Sequence, residues 1–112
     1  MTNMMVLNRN NDYRRLYRRG KSFVCPALVV YTMKNRAGFC RIGITVSKKI
    51  GNAVVRNRVR RIIKEAVRQL LPEMLNPADI VIVARTRAVT MKSTALVPII
   101  KKQLLAAGII PN

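Results

Sequence analysis

Residues 39–71, FCRIGITVSKKIGNAVVRNRVRRIIKEAVRQLL, contain two consecutive secondary-structure elements that indicate the fold class. In residues 39–46, apolar side chains alternate with polar or small ones, which is the period of a half-buried strand. The apolar residues then recur every three or four positions and predict a helix over about residues 52–71, ended by Pro72. A strand followed by a long amphipathic helix indicates a domain that contains both a sheet and helices.

Further elements are predicted on both sides of this pair. Residues 10–12 can cap a short helix that runs to about Arg19, and Gly20 suits a left-handed exit from that helix. The other predicted elements are strands over residues 22–34 and 79–84 and a final helix over residues 93–107.

The order of these elements predicts the topology. The strand at 22–34 is expected to form a hairpin with the strand at 39–46 through the turn at 35–38. The strand at 79–84 is apolar on both faces, as expected of a central strand. The order α-β-β-α-β-α then predicts one α+β domain over residues 1–112. We expect a two-layer sandwich of one mainly antiparallel sheet with helices packed against it.

Positive charge dominates the composition. The chain has 22 Lys and Arg against 4 Asp and Glu, a formal net charge of +18. Such a charge repels itself unless a polyanion is the usual neighbour, so nucleic acid is the first candidate partner and an anionic membrane the second. No apolar run approaches the ~20 residues of a membrane-spanning helix, and the apolar residues 4–7 are too few for a signal peptide. We therefore expect a cytoplasmic protein.

The residue types in the chain argue against catalysis by its own side chains. There is no His, and the four acidic residues are scattered, so no general base that titrates near neutral pH is evident and no metal site is predicted. Cys25 and Cys40 are expected on neighbouring strands as buried free thiols, because a disulfide is improbable in a reducing compartment. Two Cys without His also cannot complete a tetrahedral zinc site.

The predicted helix at 52–71 has an apolar face and a cationic face. On a helical wheel the apolar arc consists of Val55, Val59, Ile62, Ile63, Ala66 and Leu70. The opposite side consists of Arg56, Asn57, Arg60, Arg61, Lys64 and Arg68, with Arg58 on its flank. Guanidinium groups about one turn apart can bind successive phosphates, and Lys48, Lys49 and the flexible Gly51 lie just before the helix. A solvated charged face is the plainer interpretation, and membrane binding is the other. The nearly uniform positive charge, and an apolar face without Trp or Phe, favour nucleic acid over both.

The tyrosines admit two interpretations. Tyr13 and Tyr17 share one face of the first helix, which also carries four arginines, and Tyr31 lies on the first long strand. These rings could simply complete the core, which is the favoured interpretation without further information. They could instead stack on unpaired bases, since aromatic rings among arginines are typical of single-stranded RNA binding.

At these residues the chain resembles the bacterial ribonuclease P protein subunit over nearly its whole length. NDYRRLYRRGKS at 11–22 resembles the aromatic, basic first helix of that family. SKKIGNAVVRNR at 47–58, with its Arg-Asn-Arg triplet, resembles the family signature, and DIVIVAR at 79–85 resembles a later strand.

The resemblance implies a left-handed β-α-β crossover and a role as protein cofactor of a ribozyme. That ribozyme removes the 5′ leader of precursor tRNA, with the catalytic Mg²⁺ held by the RNA subunit. The residues implied to contact the RNA subunit are Lys48, Lys49, Asn52, Arg56, Asn57, Arg58, Arg60, Arg61 and Lys64, and we add Arg68 from the same cationic face.

The resemblance also implies that Tyr13, Tyr17 and Tyr31 line a cleft for the single-stranded leader. Family members often have Phe in the first helix, and Tyr keeps the ring needed for stacking. The rival functions are a basic ribosomal protein and a DNA-binding module, although nothing here resembles a helix-turn-helix.

Overall fold

The computed structural model describes residues 5–7 and 10–112, which form one α+β domain. The helices are α1 (Asn10–Arg19), α2 (Ala53–Leu70) and α3 (Ser93–Ala106). The strands are β1 (Met5–Val6), β2 (Lys21–Val24), β3 (Leu28–Lys34), β4 (Arg41–Thr45) and β5 (Ala78–Ala84). The predicted class and the predicted helices are confirmed.

The strands form one mixed sheet in the order β1-β4-β5-β3-β2. β4 is parallel to β1 and β5, whereas β3 is antiparallel to β5 and β2. The predicted antiparallel pairing is present in the ladders of β3 with β2 and β5, β4 adds parallel pairing, and the central position of β5 is confirmed. Since β4, α2 and β5 are consecutive and the two strands are parallel, they form a β-α-β crossover, whose left-handedness stays a prediction.

The predicted hairpin between residues 22–34 and residues 39–46 is wrong, because β5 lies between β3 and β4. The hairpin lies instead within residues 22–34, where β2 and β3 pair around a turn that contains Pro26. Proline cannot donate to the sheet, so it favours this turn. A strand that is apolar on both faces is best buried at the centre of a sheet, and β5 is the central strand here. Consequently the free thiols of Cys25 and Cys40 do not lie on neighbouring strands.

Helices cover both faces of the sheet, so the predicted two-layer arrangement is incomplete. Ile80 and Ile82 of β5 point to the main core, which contains the buried residues of α2 and α3. Val81 points to the opposite face and packs with Leu16 of α1 and with Leu7. Alternation along β5 therefore separates a large core from a small one, and only the small one is close to α1.

Glycines end two of the helices in different ways. Gly108, with φ of 77°, follows α3 in the left-handed conformation. Gly20 does not have a positive φ, so the predicted left-handed exit from α1 is wrong. A Cβ at Gly20 would lie 2.6 Å from the carbonyl oxygen of Leu16 and 2.9 Å from that of Thr32. Glycine is needed there because α1 meets β3 closely.

Candidate nucleic-acid interface

The segment before α2 presents two lysines and then caps the helix. Lys48 and Lys49 are exposed in a 3-10 turn that is anchored by the buried side chain of Ile50. Asn52 is the N-cap of α2, and its Oδ1 accepts a hydrogen bond of 3.0 Å from the backbone N–H of Val55. The predicted RNA contact at Asn52 therefore competes with a structural role that the sequence analysis did not identify.

The two faces predicted for α2 are present. Its buried residues are Val59, Ile63, Ala66, Val67 and Leu70, and Val55 and Ile62 are partly buried against the same core. The side chains of Arg60, Arg61 and Lys64 are exposed on the other side. These three cations, with Lys48 and Lys49, form what we call the cationic surface.

The remaining predicted cations of α2 have partners within the chain or are partly covered. Arg58 donates from Nη1 to the carbonyl oxygen of Val89 at 2.6 Å and from Nη2 to that of Met91 at 3.4 Å. Arg68 donates two hydrogen bonds to the carboxylate of Glu65, and the bond from Arg68 is the main reason that the pKa of Glu65 is lowered. The Nε atom of Arg56 is buried without a hydrogen-bond partner. The two hydrogen bonds of Arg58 thus connect α2 with the segment after β5, and the sequence patterns did not predict this role.

Asn57 also forms a contact inside the chain. Its Oδ1 accepts a hydrogen bond of 3.0 Å from Nη1 of Arg60, one helical turn away. Both side chains are exposed, so this contact leaves Arg60 at the surface, where it can still reach a phosphate.

The three tyrosines form one cluster between α1 and the sheet, which we call the tyrosine cleft. The ring centroids of Tyr13 and Tyr17 are 6.4 Å apart, and those of Tyr17 and Tyr31 are 4.9 Å apart with the planes at 78°. An edge-on arrangement at this distance is favourable for aromatic pairs. Tyr17 is 44% exposed, so the cluster is open to solvent and is not a closed core.

The three rings differ in how firmly they are held. The hydroxyl group of Tyr13 donates to the carbonyl oxygen of Leu7 at 3.0 Å, and a Cβ at Gly43 would overlap this hydroxyl. Burial is the main cause of the raised pKa of Tyr13, with a further contribution from Tyr17. Tyr13 is therefore held in place, and Tyr17 is the exposed ring of the three, with Tyr31 partly buried beside it.

The floor of the tyrosine cleft includes residues that the sequence analysis did not assign to a site. Thr45 lies beside Tyr17, with 3.4 Å between the two hydroxyl oxygens. Val83 is partly buried on the same face, and Val24 at the sheet edge is 65% exposed. The alternation in residues 39–46 could have identified Thr45 and Gly43, because it places both on the face opposite the apolar residues.

The tyrosine cleft and the cationic surface adjoin at the end of β4, because Thr45 lies beside Tyr17 and Lys48 follows Thr45 by three residues. The charge of Arg60 acts on the Tyr13 hydroxyl group and lowers its pKa, against the larger effect of burial. A nucleic-acid strand bound at one of these surfaces can therefore also contact the other.

All four acidic side chains of the chain are engaged in ion pairs. Asp79, only 1% exposed, accepts two hydrogen bonds of 2.7 Å from Arg41, one of 2.8 Å from Asn35 and one of 3.2 Å from Arg15. Burial acts to raise the pKa of Asp79, but the bonds from Arg41 and Asn35 and the charges of Arg41 and Arg15 outweigh it, and the pKa is lowered. This cluster joins α1 to β4 and β5, and so it orients the helix that carries Tyr13 and Tyr17.

Comparison with known proteins assigns the family. A sequence model of the family described as Ribonuclease P matches residues 1–107 of the chain. The chain belongs to the Ribonuclease P family. The chain is therefore a protein component of ribonuclease P. Membership of this family implies that it takes part in a holoenzyme with an RNA partner.

Relatives in the Ribonuclease P family support this assignment over most of the chain. The Ribonuclease P protein component of Clostridioides difficile is 50% identical over 80 residues, which cover 70% of this chain and 70% of the relative. That of Thermoanaerobacter sp. is 40% identical over 110 residues, covering 94% of this chain and 95% of the relative.

Solved structures of RNase P proteins share the fold. The RNase P protein of Staphylococcus aureus superposes with a TM-score of 0.83 at 34% identity, covering 94% of this chain and 96% of that one. The RNase P protein from Thermotoga maritima gives 0.79 at 25% identity, covering 88% and 93%.

Within the described part of the chain, no three His, Cys, Asp or Glu side chains are grouped so that they could hold a metal ion. None of the helices described is both long enough and apolar enough to cross a bilayer.

Proposed function

We propose that this chain is the cytoplasmic protein cofactor that binds both the catalytic RNA subunit of ribonuclease P and the 5′ leader of precursor tRNA. In this role it promotes endonucleolytic removal of the leader. The observation that carries the proposal is the open tyrosine cleft beside an exposed row of cations, which begins at Lys48, three residues after the Thr45 that lies against Tyr17.

The cationic surface is suited to the RNA subunit. Exposed cations follow one another along the turn and the first two thirds of α2, and they are Lys48, Lys49, Arg60, Arg61 and Lys64. Because every acidic side chain already has a cationic partner, none is left unpaired to neutralise this surface. Phosphates of a folded RNA supply the missing negative charge.

The tyrosine cleft is suited to a single strand. Tyr17 is exposed, its ring meets that of Tyr31 nearly at a right angle, and apolar side chains of the sheet form the floor. Unpaired bases stack on such rings, and paired bases in a helix cannot reach them. Precursor tRNA offers such a strand in its leader, which mature tRNA has lost.

We assign the hydrolytic chemistry and the catalytic Mg²⁺ to the RNA subunit. The chain has no His, and each carboxylate is held in an ion pair, so none is free to act as a general base. The part of this chain is to bind and orient both RNAs.

The test is reconstitution of the holoenzyme with the RNA subunit at low Mg²⁺, followed by binding of precursor and mature tRNA. Tyr17→Ala is expected to weaken precursor binding by about 1–3 kcal/mol and to leave mature tRNA binding unchanged, because only the leader loses a stacked ring. Phe39→Ala is the matched control, since Phe39 is an aromatic residue of similar exposure, 41% against 44% for Tyr17, that does not belong to the cleft.

A core role for Tyr17 predicts a different result. Truncation to Ala would then lower the free energy of unfolding by roughly 3–5 kcal/mol, as in other cores, and would weaken the binding of precursor and mature tRNA equally. That outcome, measured by melting temperature beside the two affinities, would contradict the proposal.

A further inference from the structure

A groove lies at the edge of the sheet, next to the C-terminal ends of α1 and α3. It has a volume of about 760 Å³, and its cationic lining residues are Arg19, Lys21 and Lys34. All three are exposed, and no Asp or Glu of the described chain lines the groove. We call this feature the edge groove. Its charge favours an anionic partner.

The edge groove is separate from the two surfaces assigned to RNA. Lys21 is paired with Thr32, and the side chains of both lie on the main-core face of the sheet, whereas Tyr31 points to the opposite face. Lys34 lies at the end of the sheet where β5 begins. The cationic surface begins beyond the other end, where β4 stops. An RNA bound at the cationic surface and the tyrosine cleft therefore does not have to cover the edge groove.

A buried hydroxyl group lies between the two lysines of the groove. Thr32 lines the groove and is only 6% exposed, and its hydroxyl group forms no hydrogen bond within the described residues. Buried polar side chains normally have such a partner. Lys21 lies directly across from Thr32, and Lys34 is two residues further along the same face of β3, about 7 Å away. A carboxylate placed between the lysines can accept a hydrogen bond from Thr32.

The remaining lining favours a peptide over a nucleic-acid strand. Pro77, Ala78 and Ala107 form an apolar wall, and no aromatic ring of the described residues lines the groove. Unpaired bases bind proteins largely by stacking on such rings, so the groove offers them little. Carboxylates on short aliphatic side chains match both the cations and the apolar wall.

The strand beside the groove has a free backbone edge. Within residues 5–7 and 10–112, β2 pairs with β3 alone, so its outer edge is unpaired. The backbone N–H of Cys25 donates to the carbonyl oxygen of Leu28 at 3.0 Å, and hydrogen-bonded pairs alternate along an antiparallel ladder. Ser22 and Val24 therefore direct their N–H and C=O groups outward, where an extended peptide can pair with them.

The side chains of β2 select which peptide can pair. Lysine on an edge strand ordinarily opposes pairing with other chains, and Lys21 repels a second copy of this chain, whose net charge is +18. The same lysine attracts an acidic strand. Val24 is 65% exposed on the face opposite to Lys21. The matching strand therefore has acidic residues on one face and apolar residues on the other.

We propose that the edge groove and the outer edge of β2 bind an extended acidic segment of a partner protein. Its acidic side chains enter the groove toward Lys21, Thr32 and Lys34, the alternate residues lie beside Val24, and its backbone extends the sheet. The inference is independent of the proposed function, because it uses neither the cationic surface nor the tyrosine cleft.

The experiment measures, by fluorescence anisotropy, the binding of a labelled peptide of alternating Glu and Val to the protein assembled with its RNA partner. The RNA engages other cations of the chain, which would otherwise attract any acidic peptide. Lys21→Gln/Lys34→Gln should weaken binding roughly five-fold, the effect of two exposed ion pairs. Lys92→Gln/Lys102→Gln is the matched control, because it removes the same charge from two exposed lysines that do not line the groove. It should leave the affinity unchanged.

Two further measurements test the hydroxyl group and the backbone edge. Thr32→Val should weaken peptide binding roughly five-fold without lowering the melting temperature, because the hydroxyl group has no partner to lose in the free protein. A lower melting temperature would remove Thr32 from the site. An added strand turns every second amide toward β2. N-methylation of either the Glu or the Val residues should therefore weaken binding, and N-methylation of the other set should not. Equal binding of all three peptides would refute the strand pairing.

Equal losses in the groove variant and in the control would show general electrostatic attraction and would overturn the inference. A single-stranded oligonucleotide that binds more tightly than the peptide, with the same dependence on Lys21 and Lys34, would also overturn it and make the groove a nucleic-acid site. If Tyr17→Ala has no effect on leader binding, only the proposed function of the tyrosine cleft fails.

Discussion

Replacing Arg58 should destabilise the fold, although Arg58 is exposed and belongs to a row of arginines expected to bind RNA. The short bond of 2.6 Å to the carbonyl oxygen of Val89 is charge-assisted, and such bonds contribute about 1.5–3 kcal/mol. The second bond, 3.4 Å to the carbonyl oxygen of Met91, is at the limit of hydrogen bonding and adds little. Because the guanidinium is exposed, the lower part of the range applies. We expect Arg58→Ala to cost about 1.5–2 kcal/mol of unfolding free energy.

The assay is urea unfolding, followed by circular dichroism, of Arg58→Ala beside Arg61→Ala. Arg61 is exposed on the same helix and forms no hydrogen bond within the described chain, so its removal should change stability by less than about 0.5 kcal/mol. A loss of 1.5–2 kcal/mol corresponds to a melting temperature lower by roughly 6–8 °C in a domain of this size.

For RNA binding we expect the opposite order, with the larger effect in Arg61→Ala. Arg61→Ala should reduce the slope of log affinity against log salt by about 0.7–0.9, the effect of one lost phosphate contact. Equal stabilities of the two variants, together with equal reductions in the salt slope, would refute the structural role of Arg58.

Two further predictions concern the contacts that hold the tyrosine cleft. Tyr13→Phe removes the hydrogen bond to the Leu7 carbonyl oxygen and should lower the free energy of unfolding by about 1 kcal/mol, measured by thermal unfolding. The affinity for the leader should stay the same because the ring remains. A lowered leader affinity at unchanged stability would contradict this prediction. The lowered pKa of Asp79 contributes stability that is fully present above its ordinary value of 3.8 and is lost as pH falls through the lowered value. Unfolding free energies measured between pH 5 and pH 2 should therefore fall less steeply for Asp79→Asn than for the unaltered protein, and identical slopes would show that Asp79 is not a source of the acid sensitivity.

Local patterns in the sequence were sufficient for several features of this protein. The amphipathic period defined α2 and its cationic face, and the doubly apolar run of residues 79–84 predicted the central strand. These features depend on which faces of an element meet water, and each element records that in its own residue spacing. The excess of Lys and Arg likewise indicated a polyanionic partner without reference to the fold.

Strand neighbours were beyond the reach of local pattern. Residues 22–34 and 39–46 adjoin in sequence across a turn, yet β5 separates β3 from β4. Nothing in the alternation of a strand specifies its partner, because pairing depends on the total burial that the whole sheet achieves.

Only the folded chain distinguishes side chains of the same type by their neighbours. Arg58 and Arg61 belong to the same run of arginines, and both were expected to bind RNA, but carbonyl oxygens of the segment after β5 meet Arg58 alone of the two. Tyr13 and Tyr17 share a helix face, but Gly43 and Leu7 hold Tyr13 and leave Tyr17 open. Sequence periodicity sorts residues into faces, whereas long-range contacts, which form only when distant segments pack, assign each residue on a face its task.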